Sequence, residues 1–371
     1  MTTDSLYVKD LLDLFEQEAP LALQEDYDNA GLIVGSPDRM VQSAMVCLDL
    51  SEAIIEEAAG KGCHLIITHH PVIFKGLKRL GNRTEVERII VSAIRHDICI
   101  MAMHTNLDNV YQGVNHMLAE KLGLKDLAVL RPAEGSLCKL VTFCPIDHAQ
   151  VVRSAMFDAG AGHIGNYDSC SFNAQGSGTF RAQADAKPFV GTIGEVHSEP
   201  EVRIETILPL HLAGSVVSAM KRAHPYEEVA YDLYPLLNGH QRVGSGMVGV
   251  LEKSMSAHAF LEHVQAVLGT PVLRHTDAYG KFIKRVAICG GSGAFLLPDA
   301  RRSGADAFVT SDLKYHDFFD AGLLLIDGGH YETEQFTTQL MANMIKKKFP
   351  TFAVLFPEQD YRVIQYYIKP Q

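Results

Sequence analysis

The run Cys63-His64-Leu65-Ile66-Ile67-Thr68-His69-His70-Pro71 constrains the fold more than any other stretch. Its first six residues are mostly apolar and partly β-branched, the pattern of a buried strand. Two histidines and a proline follow. Neighbouring side chains point to opposite faces inside a strand, but Pro71 forces the chain out of the sheet. At that carboxyl end both imidazoles can turn toward one crevice. In open parallel sheets such crevices are where ligands bind, and a neutral imidazole there can ligate zinc or another divalent transition metal.

Two further segments repeat the arrangement. The apolar run 98–103 leads into His104-Thr105-Asn106-Leu107-Asp108, and the run 323–327 leads into Gly328-Gly329-His330-Tyr331-Glu332-Thr333-Glu334. Each delivers a histidine and, four residues later, a carboxylate. His330 and Glu334 fit the first turn of a helix continuing over 335–348, where i and i+4 share a face. The three strand ends together supply His69, His70, His104, Asp108, His330 and Glu334. Four imidazoles and two carboxylates exceed one tetrahedral ion and suit two metals, with the carboxylates as bridges. The expected ions are divalent, zinc first, with iron or manganese as alternatives.

The motifs ITHHP, HTNLD and GGHYETE, with DYDNAGL at 26–32 and TSDLKYH at 310–316, resemble the NIF-three-like family, whose members are called GTP cyclohydrolase 1 type 2 homologs. The likeness spans nearly the whole chain, including a central insert found in longer members. It implies a dinuclear metal protein assembled as a toroidal homohexamer, with ligands at the six residues already named. Tyr27 stands where the family more often has tryptophan, and Ser311 where it usually has glycine, a change expected to stiffen that turn.

The order of elements gives the fold class. Residues 5–18 have helical spacing, and 26–37 form a turn leading into a short strand, with the acidic residues there serving the turn or, as the alternative, approaching the metal site. Strands over 42–49, 63–68 and 98–103 alternate with helices over 51–61, 84–96 and 110–122. This grammar predicts a parallel α/β sheet. It restarts at 281–289 and continues with strands at 306–310, 323–327 and 352–356, and a short helix at 312–321. The Gly290-Gly291-Ser292-Gly293 segment reads as a tight turn, with a phosphate held on its exposed N–H groups as the alternative. Because ligands come from both halves, residues 1–125 and 252–371 are expected to form one discontinuous metal-binding catalytic domain. The span 126–251 interrupts it, and its βα–β–β–αβ order suggests a ferredoxin-like α+β insert. The stretch His224-Pro225-Tyr226-Glu227-Glu228 resembles family inserts similar to PII and CutA modules. Pro225 argues against His224 and Glu228 as helical metal ligands, and 163–167 reads as a loop or subunit contact.

Composition narrows the function. No apolar run among the 371 residues reaches the ~18 that cross a bilayer, and 1–14 lacks the pattern of a signal peptide. The expectation is a cytoplasmic protein without a membrane partner. The seven cysteines are odd in number and none forms C-x-x-C, so reduced buried thiols are expected. A net charge of −11 argues against general nucleic-acid binding. The leading expectation is a dinuclear metal-dependent hydrolase that attacks a nucleotide or phosphoester with metal-bound hydroxide. The family name implies opening of the guanine imidazole ring of GTP. His316, on the turn after another strand, is the candidate general acid. The alternative is a non-catalytic, metal-stabilised hexameric scaffold or regulator that binds a partner or effector through its insert.

Overall fold

The computed structural model describes residues 6–277, 280–319, 321–358 and 362–367. The chain forms two compact units, one from residues up to Arg131 and from Arg242 onward, the other from Pro132–Gln241. The fold is mixed α/β.

The larger unit holds two principal sheets. In the first, Ala353–Leu355, Ser43–Cys47, Leu65–Thr68 and Cys99–Ala102 run parallel in that order, and Gly31–Val34 closes the edge antiparallel. Alternation along the strands builds two cores. Leu65, Ile67, Val46 and Met101 face helices Val8–Glu18 and Thr337–Lys348, whereas Ile66, Met45 and Ile100 face Glu52–Gly60 and Glu85–Arg95. Glu85–Arg95 buries Ile89, Ile90 and Ala93 while its other residues stay wet. Each fully buried isoleucine contributes about 1.5–3 kcal/mol. Thr84 caps that helix by accepting from Glu87 N, and Ser51 does the same for Glu52–Gly60.

The second sheet is ordered Arg274–His275, Leu324–Asp327, Ala307–Ser311, Phe282–Ser292, His240–Ser256, Leu124–Ala133. Its strands 282–292, 307–311 and 324–327 run parallel to one another. Helix Ala257–Leu268, capped by Ser256, packs Phe260, Val264 and Leu268 against one face.

The smaller unit runs β-α-β-β-α-β. Its antiparallel sheet is ordered Tyr231–Pro235, Leu137–Pro145, Val196–Pro209, Phe172–Arg181. Helices Ala149–Asp158 and Ala213–Ala223 pack Val152, Met156, Val216 and Met220 onto Leu140 and Ile204. Residues 126–131 and 242–251, expected within the insert, instead belong to strands of the larger unit's second sheet.

Three local expectations change. The helix expected over 110–122 forms only over Val114–Lys121, after a separate short helix Thr105–Asn109; between them the chain folds back so tightly that a Cβ on Gly113 would sit 1.8 Å from the Leu107 carbonyl oxygen. Among the described residues, the span 312–321 holds only the 3-10 turn Tyr315–Phe318. At 290–293 the strand Phe282–Ser292 continues through Gly290 and Gly291, whose amides donate to Asn115 Oδ1 and Thr333 Oγ1. All seven cysteines are free, and all but Cys170 are buried.

Candidate metal centre

The three strand ends meet within the larger unit. Beyond Leu65–Thr68, the His69 and His70 amides bond to carbonyls at the end of the neighbouring strand, and Thr68 Oγ1 donates to His70 O at 2.7 Å. This folds His70 back beside His69, with ring centroids 5.0 Å apart. His104 comes to 5.3 Å from His69 and 5.4 Å from His70, and His330 lies 5.2 Å from His70. His330 and Glu334 open and close the one-turn helix His330–Glu334 and share a face.

Every one of these rings is held from behind at Nδ1. His69 meets the Met103 carbonyl, His70 meets Asp49, His104 meets Asp28 and His330 meets Asp312, each at 2.7 Å. A carbonyl or carboxylate partner fixes the proton on Nδ1 and leaves Nε2 as the inward-facing donor atom. Inside, His70 Nε2 and His330 Nε2 both lie 3.0 Å from Glu334 Oε2 and 3.3 Å from each other. His69 Nε2 lies 3.7 Å from Asp108 Oδ1 and 3.8 Å from Glu334 Oε1. It is fully buried and has no hydrogen-bond partner. Ligand atoms of His69, His70 and His104 form one set within 4.8 Å of one another, and those of His70, His330 and Glu334 form another. The residues present therefore fit a metal: lone pairs and carboxylates converge, and one buried nitrogen lacks any other partner.

Electrostatics tells the same story. Burial alone would depress His70 and His330, but the carboxylates of Asp49, Asp312 and Glu334 raise them to about 9 and about 11. Burial would raise Glu334, yet the surrounding imidazoles hold it well below the usual carboxylate range. Asp108 is lifted to about 7 by burial, with Glu334 adding to the lift against the pull of His69.

The supporting carboxylates are the residues that sequence reasoning missed. Asp28, assigned above to a turn, has a fully buried side chain and bonds His104 Nδ1 together with the backbone and hydroxyl of Thr105. Asp49 and Asp312 follow strands Ser43–Cys47 and Ala307–Ser311. The available signal was an acid just past the carboxyl end of a neighbouring strand. Asp312 takes a left-handed φ of 58°. Gly291 was also missed: at φ 62° it lies against Glu334, where a Cβ would come within 2.1 Å of Oε1.

His316 is placed elsewhere. Its ring is exposed, in contact with Tyr315 and Phe319, and it is not among the residues lining the cavity over the histidines. His224 is no ligand either: Nε2 bonds the Phe143 carbonyl and Nδ1 accepts from Tyr226 N. The cavity measures about 510 Å³. Its floor is His70, His104, Asp108, His330 and Glu334, and Tyr27, Phe74, Phe295 and Tyr331 line it with apolar surface. No lysine or arginine lines it among the described residues.

A family model described as Duf34/NIF3 (NGG1p interacting factor 3) matches residues 6–361. A GTP cyclohydrolase 1 type 2 homolog of Halalkalibacterium halodurans is 42% identical over 324 residues, covering 86% of this chain and 87% of that protein. Its Bacillus subtilis counterpart is 40% identical over 347 residues, covering 91% and 93%. The crystal structure of a Bacillus cereus protein related to NIF3 superposes with a TM-score of 0.84 at 36% identity, over 99% of this chain and 100% of that one. A strand-end histidine cluster on this scaffold, with a family match over nearly the whole length, makes the chain a member of the Duf34/NIF3 family.

Proposed function

We propose that the cluster holds two divalent metal ions, zinc in the first instance, and that the protein is a hydrolase acting on a nucleotide or phosphoester. The observation that carries this is the set of four imidazoles, each backed at Nδ1 by a carboxylate or carbonyl. Such backing orients ligands and raises their basicity, and a purely structural cluster of buried histidines has no need of it. His69, His104 and Asp108 would hold one ion, His70 and His330 the other, and Glu334 would serve both through its two oxygens. When bound, a metal pair polarises a substrate oxygen and makes water a nucleophile near neutral pH.

The chain's own residues do the rest. Asp28, Asp49 and Asp312 keep the rings oriented. The aromatic wall of Phe74, Tyr27, Phe295 and Tyr331 suits a flat apolar body such as a nucleobase. With no cationic side chain lining the cavity, an anionic substrate group would depend on the metals for its recognition. A role for His316 as proton shuttle has no support from its exposed position in this chain. The β-α-β-β-α-β order and 4-1-3-2 strand arrangement support a ferredoxin-like reading of the smaller unit. Family membership supports a closed hexamer, to be checked by light scattering at micromolar concentration.

The deciding experiment is elemental analysis followed by a hydrolase screen over nucleotides and phosphoesters, with metal-free protein as control. Two metals per chain and metal-dependent turnover are expected. A fully loaded protein inert toward every substrate would replace the hydrolase with a metal-stabilised scaffold.

A further inference from the structure

The smaller unit carries a second cavity, of about 750 Å³, that the metal chemistry does not use. A space of this size accommodates a small organic ligand. At its floor lies Glu201, only 8% exposed. Tyr226 donates its hydroxyl to Glu201 Oε1 at 2.8 Å. No group among the described residues bonds Oε2, which lies against the strand Phe172–Arg181 at Gly178. A Cβ at Gly178 would come within 2.1 Å of that oxygen, so the bare backbone makes room for the carboxylate. With its own proton committed to Glu201, the Tyr226 oxygen offers only lone pairs, and Oε2 offers the same. The floor therefore accepts hydrogen bonds and donates none.

The wall is aromatic. Phe180 and Phe189 flank Tyr226, each with its ring centroid 6.2 Å away and tilted by 57° and 50°. His148 stands edge-on behind Phe189 at 5.4 Å. All three of Phe180, Phe189 and Tyr226 line the cavity, and an aromatic face attracts a cation. Cations stand at the margin as well: Arg203 pairs with Glu205 at 2.8 Å, a carboxylate it shares with Lys139, and Arg181 lines the rim, but Glu227 and Glu228 line it too and Glu201 holds the floor. Glu201 therefore keeps one carboxylate oxygen open to a positive partner inside an aromatic-lined cavity.

We infer that this cavity binds a small organic cation, a protonated amine or guanidinium carried on a flat apolar body, with Glu201 and Tyr226 accepting its N–H groups and Phe180 and Phe189 enclosing it. The site is independent of the metal centre and gives the smaller unit a ligand of its own.

The test uses the full-length protein and benzamidinium as probe, against its neutral isostere benzamide, titrated by ligand-observed proton NMR at pH 7. Wild type should bind benzamidinium with a Kd in the low millimolar range and prefer it at least tenfold over benzamide. Glu201→Gln should abolish that preference by weakening benzamidinium alone. Phe189→Ala, which alters an exposed ring and spares the fold, should weaken both probes several-fold. Circular dichroism and gel filtration confirm that each variant is folded. Equal affinity for the two probes, an unchanged preference in Glu201→Gln, or no binding to wild type because a neighbouring chain fills the cavity would each overturn the assignment. If Glu201→Gln fails to fold, the wild-type preference and Phe189→Ala decide.

Discussion

Substituting Gly291 by alanine should empty the metal centre without touching a ligand. Its φ of +62° is one that alanine adopts at a cost of about 1–2 kcal/mol. The added Cβ would also stand 2.1 Å from Glu334 Oε1 and 3.0 Å from its Cδ, on the carboxylate proposed above to serve both ions. Carbon–oxygen contacts ordinarily begin near ~3.3 Å, so the carboxylate must retreat by roughly 1.2 Å. Metal–ligand distances tolerate only about ±0.2 Å. The displacement exceeds that several times over and affects both ions, so affinity should fall by at least ~100-fold, the upper end of what support-shell changes cost. Gly304→Ala is the control. It has a similar φ of +71° but nothing within 4 Å of the new Cβ, so it shares the backbone strain without the clash. Competition with a chromogenic chelator measures the affinities, and urea unfolding of the metal-free proteins measures the common strain. Wild-type affinity in Gly291→Ala, or an equal loss in Gly304→Ala, would refute the reasoning.

Asp108→Asn should lose at least one ion by elemental analysis, since an amide is a poor anionic ligand beside the partnerless His69 Nε2. Joining Arg131 to Arg242 through a short linker should give a soluble protein that still binds metal, because the strands Leu124–Ala133 and His240–Ser256 that lead into the smaller unit are sheet neighbours in the larger one. Insolubility or metal loss would count against independent folding of that unit. Chelator-treated protein should lose stability between pH 8 and 10. His70 and His330 have raised folded-state values, so their stabilisation is whole below about 6.5 and disappears as pH rises through about 9 and then about 11. The raised value of Asp108, about 7, imposes a penalty already complete at pH 8, so it does not mask the trend. Urea midpoints across that range test this, and metal-loaded protein should decline less.

The ligand-bearing part of the fold was legible because two signals coincide there. An apolar β-branched run marks a buried strand, and a polar residue straight after it marks the carboxyl end, as at Leu65–Thr68 followed by His69. The i, i+4 pair His330 and Glu334 was legible for the same local reason. The supporting shell was not. Asp28 reaches His104 across 76 residues, and nothing local distinguishes a turn aspartate from one that buries its carboxylate against an imidazole. At Gly113 the chain packs against the Leu107 carbonyl, which excludes any side chain, so the helix starts only at Val114. The ends of the smaller unit are not legible, because the strands 124–133 and 240–256 look alike in pattern whichever sheet they join.

Metal loading should be accompanied by proton release of a size the site itself sets. In the metal-free state His70 and His330 stay protonated at pH 7, with values near 9 and 11, and both Nε2 atoms point at Glu334. Ligation requires those nitrogens bare, so each must give up its proton. Asp108, near 7, is about half protonated and must also ionise to ligate. Filling both sites at pH 7 should therefore release between about two and about two and a half protons per chain. At pH 10 His70 and Asp108 have already lost theirs, and the release should fall to about one, from His330. Calorimetric titration with the metal in buffers of different ionisation enthalpy reads this number directly. A release that does not change between pH 7 and pH 10 would mean that His70 and Asp108 are not ligands. A release of zero at both would mean that the metal binds somewhere other than at these imidazoles.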